Sequence, residues 1–136
     1  MTLRLLFTLI CDDVRLEASG KLTLVGLYNY IMGFSYNQSN VPTGAAAKVA
    51  VQQLCVVLRW SEEAAGKKTS IEIIGPDGTA RARAELTLGA PTDEGYIQAV
   101  VKFLGLAFDD GKYMVRTVCG SFIFEEPFLV KITGTP

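Results

Sequence analysis

The chain has 136 residues, of which 49% are hydrophobic and 20% charged, and its formal net charge is −1. This composition excludes an intrinsically disordered chain, which would be poor in apolar residues and rich in net charge. The near-neutral balance provides no general field that would attract nucleic acid or an anionic membrane, so we expect neither partner.

The first predicted strand covers residues 3–10. The apolar run between Arg4 and Cys11 is superficially similar to a signal peptide that ends in a lipid-modified cysteine. It is shorter than the roughly 7–15 residues of a secretory core, and no small residue precedes the cysteine. We therefore expect a strand and a cytoplasmic location. No stretch reaches the roughly 18 apolar residues that a transmembrane helix requires.

A change of phase follows this strand. From Leu3 to Cys11 the odd positions are apolar, whereas Val14 and Leu16 place the apolar face on even positions. Because side chains alternate along a strand, the change predicts a bulge or a break at Cys11-Asp12-Asp13.

The candidate binding residues lie beside this predicted bulge. Asp13, Arg15 and Glu17 share one face of the strand, so Arg15 can pair with either acid. Such a ladder is usually structural; the alternative is a polar recognition surface, because bulges often re-aim side chains near sites. A turn at Ala18-Ser19-Gly20 is expected to follow. The candidate binding residues are Asp12, Asp13, Arg15, Glu17, Gly20 and Lys21.

Two long apolar runs come next, over residues 21–32 and 49–60. Both are predicted as central strands that are covered on both faces. Within the first run, Gly26 predicts a bulge or a close approach of another backbone. The polar residues 33–46 are expected to form a long loop, the most mobile element of the chain.

The clearest strand pattern lies in residues 80–88, where apolar even positions alternate with polar odd positions. Pro76-Asp77-Gly78 predicts a hairpin turn between residues 70–74 and this strand, since proline fixes φ and glycine supplies a positive φ. Residues 89–95 are expected to form another loop.

A second change of phase lies in residues 96–108, at Phe103-Leu104, and predicts another bulge or bend. Asp109-Asp110-Gly111 is expected to turn the chain into the strand 112–118, and residues 128–133 read as a terminal strand. Seven to nine short strands predict an all-β fold, namely a two-layer antiparallel β-sandwich of immunoglobulin-like or C2-like type. Since no repeat or linker divides the chain, we expect one domain over residues 1–136.

The residue types limit the chemistry. The chain has no histidine, which removes the commonest general base and most transition-metal sites. No nucleophile-elbow, phosphate-binding or dinucleotide-binding motif occurs. We therefore expect no enzyme, no catalytic residue, no metal site and no cofactor. The cysteines lie in apolar runs and are expected to be buried free thiols; they are Cys11, Cys55 and Cys119.

Acidic pairs leave two alternatives open. Carboxylates alone can perform glycoside hydrolysis, and oxygen ligands in loops can hold calcium. Most of the pairs fall in predicted turns, where solvated carboxylates are ordinary. They are Asp12-Asp13, Glu62-Glu63, Asp93-Glu94, Asp109-Asp110 and Glu125-Glu126. The basic residues Lys67, Lys68, Arg81 and Arg83 are followed by Glu85, which favours a solvated strand edge over a nucleic-acid site.

Residues 11–28 have the distinctive sequence CDDVRLEASGKLTLVGLY. This run resembles the opening of a family of small, uncharacterised bacterial proteins. They begin with Cys-Asp-Asp-Val/Ile-Arg, continue to a Gly-Lys turn and end an apolar strand in Gly-x-Tyr. The resemblance implies a bacterial cytoplasmic domain of unknown function, with no established catalytic residues to carry over.

The leading hypothesis is a non-enzymatic domain that binds another protein or associates with itself as a homodimer. A positive mean hydropathy and the lack of catalytic motifs indicate an apolar interface. The alternative is a small-ligand or carbohydrate-binding module, and a carboxylate-only or metal-assisted hydrolase ranks third. The stacking platforms of such a module would be Tyr28, Tyr30, Tyr36, Trp60 or Tyr96.

Overall fold

The structure is a computed structural model that describes residues 3–19, 21–37 and 48–135. Its strands, numbered in chain order, are β1 Leu5–Leu16, β2 Leu22–Tyr28, β3 Ile31–Asn37, β4 Lys48–Ser61, β5 Lys68–Ile74, β6 Ala80–Thr87, β7 Tyr96–Asp109, β8 Gly111–Cys119 and β9 Phe122–Thr135. A short 3-10 helix, Glu62–Ala64, follows β4. In these described ranges, no helix has the length and apolarity needed to cross a membrane.

The strands form two sheets packed face to face, which confirms the predicted all-β sandwich. Sheet A has the order β2-β1-β4-β7 and is antiparallel throughout. Sheet B has the order β3-β9-β8-β5-β6. Its pairs are antiparallel except that β3 runs parallel to β9. The chain passes directly from β2 in sheet A to β3 in sheet B, and β3 is not joined to its partner β9 by a hairpin.

Two connections differ from their predictions. The apolar run 21–32 is not one strand, because the chain turns at Asn29-Tyr30, where Tyr30 has φ 71°. Asp109-Asp110-Gly111 does turn the chain, but it leads from β7 in sheet A to β8 in sheet B and closes no hairpin. These two connections therefore carry the chain between the layers.

The two predicted hairpins are confirmed. β5 and β6 pair as the hairpin that Pro76-Asp77-Gly78 predicts, and β1 and β2 form the hairpin expected around Ala18-Ser19-Gly20. Gly20 itself lies outside the described residues. The predicted loop 33–46 is wrong in its first part, since residues 33–37 belong to β3. The remainder of that loop also lies outside the described residues.

The main core lies between the two sheets and is rich in large side chains. Trp60 on β4 and Tyr113 on β8 are fully buried. The Tyr113 ring lies 5.1 Å from the ring of Phe108 and 5.5 Å from that of Phe128, measured between centroids. Burying each such side chain contributes about 1.5–3 kcal/mol to folding, so this aromatic cluster joins the two layers firmly.

A second apolar cluster lies on the outer face of sheet A. On β4, Leu54, Val56 and Leu58 belong to the main core, whereas Cys55 and Val57 belong to this second cluster. Because side chains alternate along a strand, Cys55 and Val57 face away from sheet B. Sheet A is therefore apolar on both faces along part of its length.

Along β1 and along β2, the alternation of side chains between the two faces of sheet A shifts by one residue near the middle of the strand. Cys11 and Val14 on β1 both belong to the outer cluster, although strict alternation would place them on opposite faces. On β2, Leu24 packs in the outer cluster while Tyr28 packs against the main core. The register is nevertheless continuous from Cys11 opposite Leu27 to Val14 opposite Leu24. The change of phase in the sequence at Cys11-Asp12-Asp13 thus corresponds to a change of face. The bulge or break predicted there is wrong, because β1 is continuous and the matching change on β2 preserves the register.

The same change of face occurs along β4 and β7. Phe103 and Leu106 on β7 both belong to the main core, and Gly105 between them has φ 69°. Across from them, Val51 and Leu54 also both pack in or against that core, and the register is unbroken. The change of phase at Phe103-Leu104 thus corresponds to a change of face, with a left-handed residue at Gly105. The bulge that was one alternative of the prediction is absent from the β4–β7 register.

One irregularity was not predicted. The register between β1 and β4 shifts between Leu5 and Phe7. Leu3 consequently belongs to the main core, whereas Cys11 belongs to the outer cluster. The expectation that the odd positions from Leu3 to Cys11 share one face is therefore wrong.

Candidate functional site

The Asp12-Asp13 segment, where β1 changes face, is held by side chains from the other three strands of sheet A. The hydroxyl of Tyr28 on β2 donates a hydrogen bond to Asp12 Oδ1. The side-chain amide of Gln53 on β4 donates to the Asp12 carbonyl at 3.1 Å and to Asp13 Oδ1 at 2.9 Å. The ammonium of Lys102 on β7 lies 3.6 Å from Asp13 Oδ1. We call these five residues the Asp12–Asp13 network.

Two residues of this network, Asp13 and Tyr28, have shifted pKa values. Hydrogen bonds from the Val14 backbone N–H and the Gln53 amide hold the pKa of Asp13 below its usual value. Burial and the hydrogen bond to Asp12 raise the pKa of Tyr28 to about 12. Asp13 is therefore an ionised acceptor and Tyr28 a protonated donor, and neither is poised to exchange a proton.

Two cysteines lie directly beneath this network. Cys11 and Cys55 are opposite each other in the β1–β4 register, and both are buried. Their thiols donate to the carbonyl oxygens of Asp13 at 3.4 Å and Asp12 at 3.7 Å, respectively. Burial raises the pKa of Cys55, and it raises that of Cys11 to about 11. The thiols are protonated and poor nucleophiles, and the prediction of buried free cysteines is confirmed, with Cys119 as the third.

The remaining predicted site residues do not join the network closely. Arg15 Nε lies 4.0 Å from Asp13 Oδ2, and this exposed pair contributes little. Among the described residues, Arg15 forms no ion pair with Glu17. The Glu17 backbone N–H donates to the Lys21 carbonyl at 2.8 Å, closing the hairpin. Gly20 is outside the described residues, so the predicted site divides into a well-held Asp12-Asp13 segment and a separate turn.

No group of three or more His, Cys, Asp or Glu that could hold a metal ion occurs within the described ranges. Two acids do converge on Arg81: its Nη2 lies 3.5 Å from Asp77 Oδ1, and its Nη1 lies 3.3 Å from Asp109 Oδ1. Hydrogen bonds from Thr79 lower the pKa of Asp77, and the Tyr113 hydroxyl lowers that of Asp109. A general acid needs a raised pKa, so this cluster has the character of a structural ion pair.

The aromatic residues proposed as stacking platforms differ in accessibility. Trp60 is fully buried in the main core, so it offers no platform. Tyr28 is engaged with Asp12, and Tyr30 is exposed at the turn between β2 and β3. The side chain of Tyr36 lies outside the described residues. Tyr96 lines a groove on sheet A.

This groove, which we call the sheet A groove, has a volume of about 610 Å³ and lies on the outer face. Phe7, Arg59 and Gln98 form a row across it, because Arg59 is opposite Phe7 in one register and opposite Gln98 in the other. The Arg59 guanidinium carbon lies 3.9 Å from the ring centroid of Tyr96 and 4.9 Å from that of Phe7. The lining residues are Phe7, Leu9, Ser19, Lys21, Leu22, Leu24, Val57, Arg59, Thr92, Glu94, Tyr96 and Gln98.

Arg59 was missed at the sequence level, although a signal exists. It is a charged residue near the end of the apolar run 49–60. A charge within a strand that is apolar on both faces needs a special environment, and here two aromatic rings provide it.

The side of the sandwich formed by β2 and β3 has an unusual composition. Residues 22–37 contain no charged residue and no proline. β2 is an edge strand of sheet A and β3 an edge strand of sheet B. We call these two strands the uncharged edge. Among the side chains described there, the large exposed ones are Leu27 at 55% and Ile31 at 45%, and Tyr30 at the turn between the strands is 48% exposed.

The opposite edges of both sheets carry charges. β7 includes Lys102, and β6 includes Arg81, Arg83 and Glu85. Charged side chains on an edge discourage pairing with another chain. The uncharged edge lacks this protection. Its signal in the sequence is the absence of charged residues from Leu22 to Asn37.

Residues 6–122 match the model of a family described as Family of unknown function (DUF6941), so the chain belongs to that family. The matched range includes the Asp12–Asp13 network, the sheet A groove and the uncharged edge. No curated protein matches the chain. Membership agrees with the expected domain of unknown function, while the Cys-Asp-Asp-Val-Arg motif as a family signature stays a prediction.

Proposed function

We propose that this member of the DUF6941 family is a non-enzymatic β-sandwich that associates with a second copy of itself through the uncharged edge. One observation carries the proposal: on one side of the sandwich, both edge strands are built from residues 22–37, which are free of charge and proline.

The physical reason lies in the backbone of an edge strand. Half of its N–H and C=O groups point away from the sheet and are free to pair with another strand. An antiparallel pair of identical strands satisfies two-fold symmetry, the commonest symmetry of homodimers. β2 of one copy beside β2 of another would continue sheet A from one molecule into the next.

The exposed side chains add to this. Leu27 is exposed on β2 and Ile31 on β3, and Tyr30 is exposed at the turn between these strands. Removing their apolar surface from water contributes about 25 cal/mol per Å². No like charges on β2 or β3 would oppose the approach of a second copy.

The test compares two exposed leucines on opposite edges of sheet A. Leu27 on β2 is 55% exposed, and Leu104 on β7 is 72% exposed. We expect sedimentation equilibrium to show a dimer for the wild type and for Leu104→Lys, and a monomer for Leu27→Lys. Circular dichroism would confirm that both variants keep the fold. A monomeric wild type, or a dimer that Leu104→Lys disrupts and Leu27→Lys does not, would overturn the proposal.

Charge pairing on sheet B supports the expected lack of a nucleic-acid partner. Arg83 Nη2 lies 2.7 Å from Glu85 Oε1, and Arg116 Nη2 lies 3.1 Å from Glu125 Oε2. Basic side chains that are already paired contribute little to phosphate binding. The bacterial origin, the cytoplasmic location, the single domain over residues 1–136 and the immunoglobulin-like or C2-like class stay predictions from the sequence.

A further inference from the structure

Among residues 3–19, 21–37 and 48–135, the Arg59 guanidinium has no anionic partner. Its position is set by the rings of Tyr96 and Phe7 and by a hydrogen bond of 2.9 Å from Nη2 to Gln98 Oε1. In the described part of the chain, its buried Nε has no acceptor. Salt bridges from Arg59 are likewise absent among those residues.

The groove around this cation has a net positive charge. Its other charged lining residues are Lys21 and Glu94, which offset each other in formal charge. A partly buried guanidinium without a counter-charge is costly, and its planar fork matches a carboxylate through two parallel hydrogen bonds. The groove therefore favours an anionic group at Arg59.

The rest of the groove is suited to an apolar group. Leu9 and Val57 lie opposite each other in the row next to Phe7 and Arg59, and Leu24 adds the wall from β2. The volume of about 610 Å³ is within the range of small-molecule sites, which are mostly apolar with a few polar anchors.

We infer that the sheet A groove binds a small organic acid. Its carboxylate is held by Arg59, and its apolar chain or ring lies against Leu9 and Leu24. This site shares β2 with the proposed dimer contact, because Leu22 and Leu24 line it. It lies on the outer face of sheet A, however, and needs no residue from a second copy. Lys21 stands at its rim, which gives that residue a role away from the Asp12–Asp13 network.

The test uses octanoate as the probe and 1-octanol as its uncharged match. Isothermal titration and NMR should show octanoate binding with shifts at Arg59, Tyr96 and Leu24, and binding of 1-octanol about tenfold weaker or less. Arg59→Lys keeps the charge but loses the planar fork, so it should weaken octanoate binding about tenfold. Leu24→Glu places a carboxylate in the groove and should abolish octanoate binding while keeping Arg59.

Each other outcome counts against the inference. Equal binding of octanoate and 1-octanol would indicate an apolar surface only. Full affinity in Arg59→Lys would show that the guanidinium holds no carboxylate. A tetrapeptide with an apolar C-terminal residue, tested as free acid and as amide, provides the last arm: if only the peptide acid binds, the ligand is a protein terminus and not a small acid. The octanoate titration is repeated on Leu27→Lys, the variant expected to be monomeric. Binding to this variant shows whether the groove works without a dimer, so failure of this inference is distinguished from failure of the dimer proposal.

Discussion

Gly26 and Asp12 face each other across β1 and β2, and the side chain of Asp12 occupies the space that a Cβ atom at residue 26 would need. Gly26 also has φ 67°, a left-handed conformation that costs other residues energy. This pair is the point at which both strands change face. The glycine therefore permits the exchange and also leaves room for the carboxylate that Tyr28 contacts.

Replacing Gly26 by alanine should destabilise the protein by about 2–3 kcal/mol. The left-handed backbone accounts for about 1–2 kcal/mol, and displacement of Asp12 from Tyr28 adds about 1 kcal/mol. Gly105 is the matched control, because it has φ 69° but open space where its Cβ would lie. Urea denaturation should show a smaller loss for Gly105→Ala, and equal losses would contradict the steric role of Asp12.

Replacing Tyr113 by phenylalanine should cost about 1–2 kcal/mol while keeping the aromatic packing. The Tyr113 hydroxyl donates to Asp109 Oδ1 at 2.5 Å and accepts from the Asp109 backbone N–H at 3.0 Å. Both hydrogen bonds are lost in the variant. The Asp109 carboxylate then has only Arg81 and water as partners, and the Asp109 backbone N–H has only water.

The same variant should change the response to acid. The hydrogen bond from Tyr113 is the main cause of the lowered pKa of Asp109. Because the folded pKa lies below the unfolded value of about 3.9, this stabilisation is present above about pH 4 and is lost as the pH falls through the folded pKa. Unfolding free energies measured across this acid range should fall less in Tyr113→Phe than in the wild type. An unchanged acid dependence would refute the assignment.

The three thiols should resist Ellman's reagent in the native state and react fully in denaturant. All are buried, and the pKa of Cys11 is raised by burial to about 11, so its thiolate is scarce at neutral pH. Cys119 ends β8 and lines a cavity of about 490 Å³, so local opening should expose it first. In the slow reaction of the native protein with the reagent, Cys119→Ala should remove the fastest phase. Cys55→Ala should leave that phase unchanged.

Local patterns predicted much of this fold. The alternation in residues 80–88 corresponds to β6, Ala80–Thr87, because that strand is polar on one face. Both changes of phase correspond to real exchanges of face, since burial follows side-chain alternation directly. The sequence of one strand, however, says nothing about its neighbour, so it could not show that β2 and β4 change face with their partners.

Features that depend on contacts between distant segments could not be predicted from local sequence patterns. The parallel pairing of β3 with β9 joins distant segments, and no local signal specifies it. The turn at Tyr30 was hidden because a left-handed tyrosine is uncommon and neither glycine nor proline marks the position. Arg59 was overlooked for a related reason: the row with Phe7 and Gln98 exists only when three strands align.

The parallel pairing of β3 also orders events during synthesis. Ile31 pairs with Leu129, so in the described fold β3 has no sheet partner until β9 has been translated. At ribosomal rates of about 5–20 residues per second, an uncharged strand stays unpaired for about 5–20 s. Completion of sheet B is thus a late step, and a nascent chain halted before β9 presents residues 31–37 to any other nascent copy nearby.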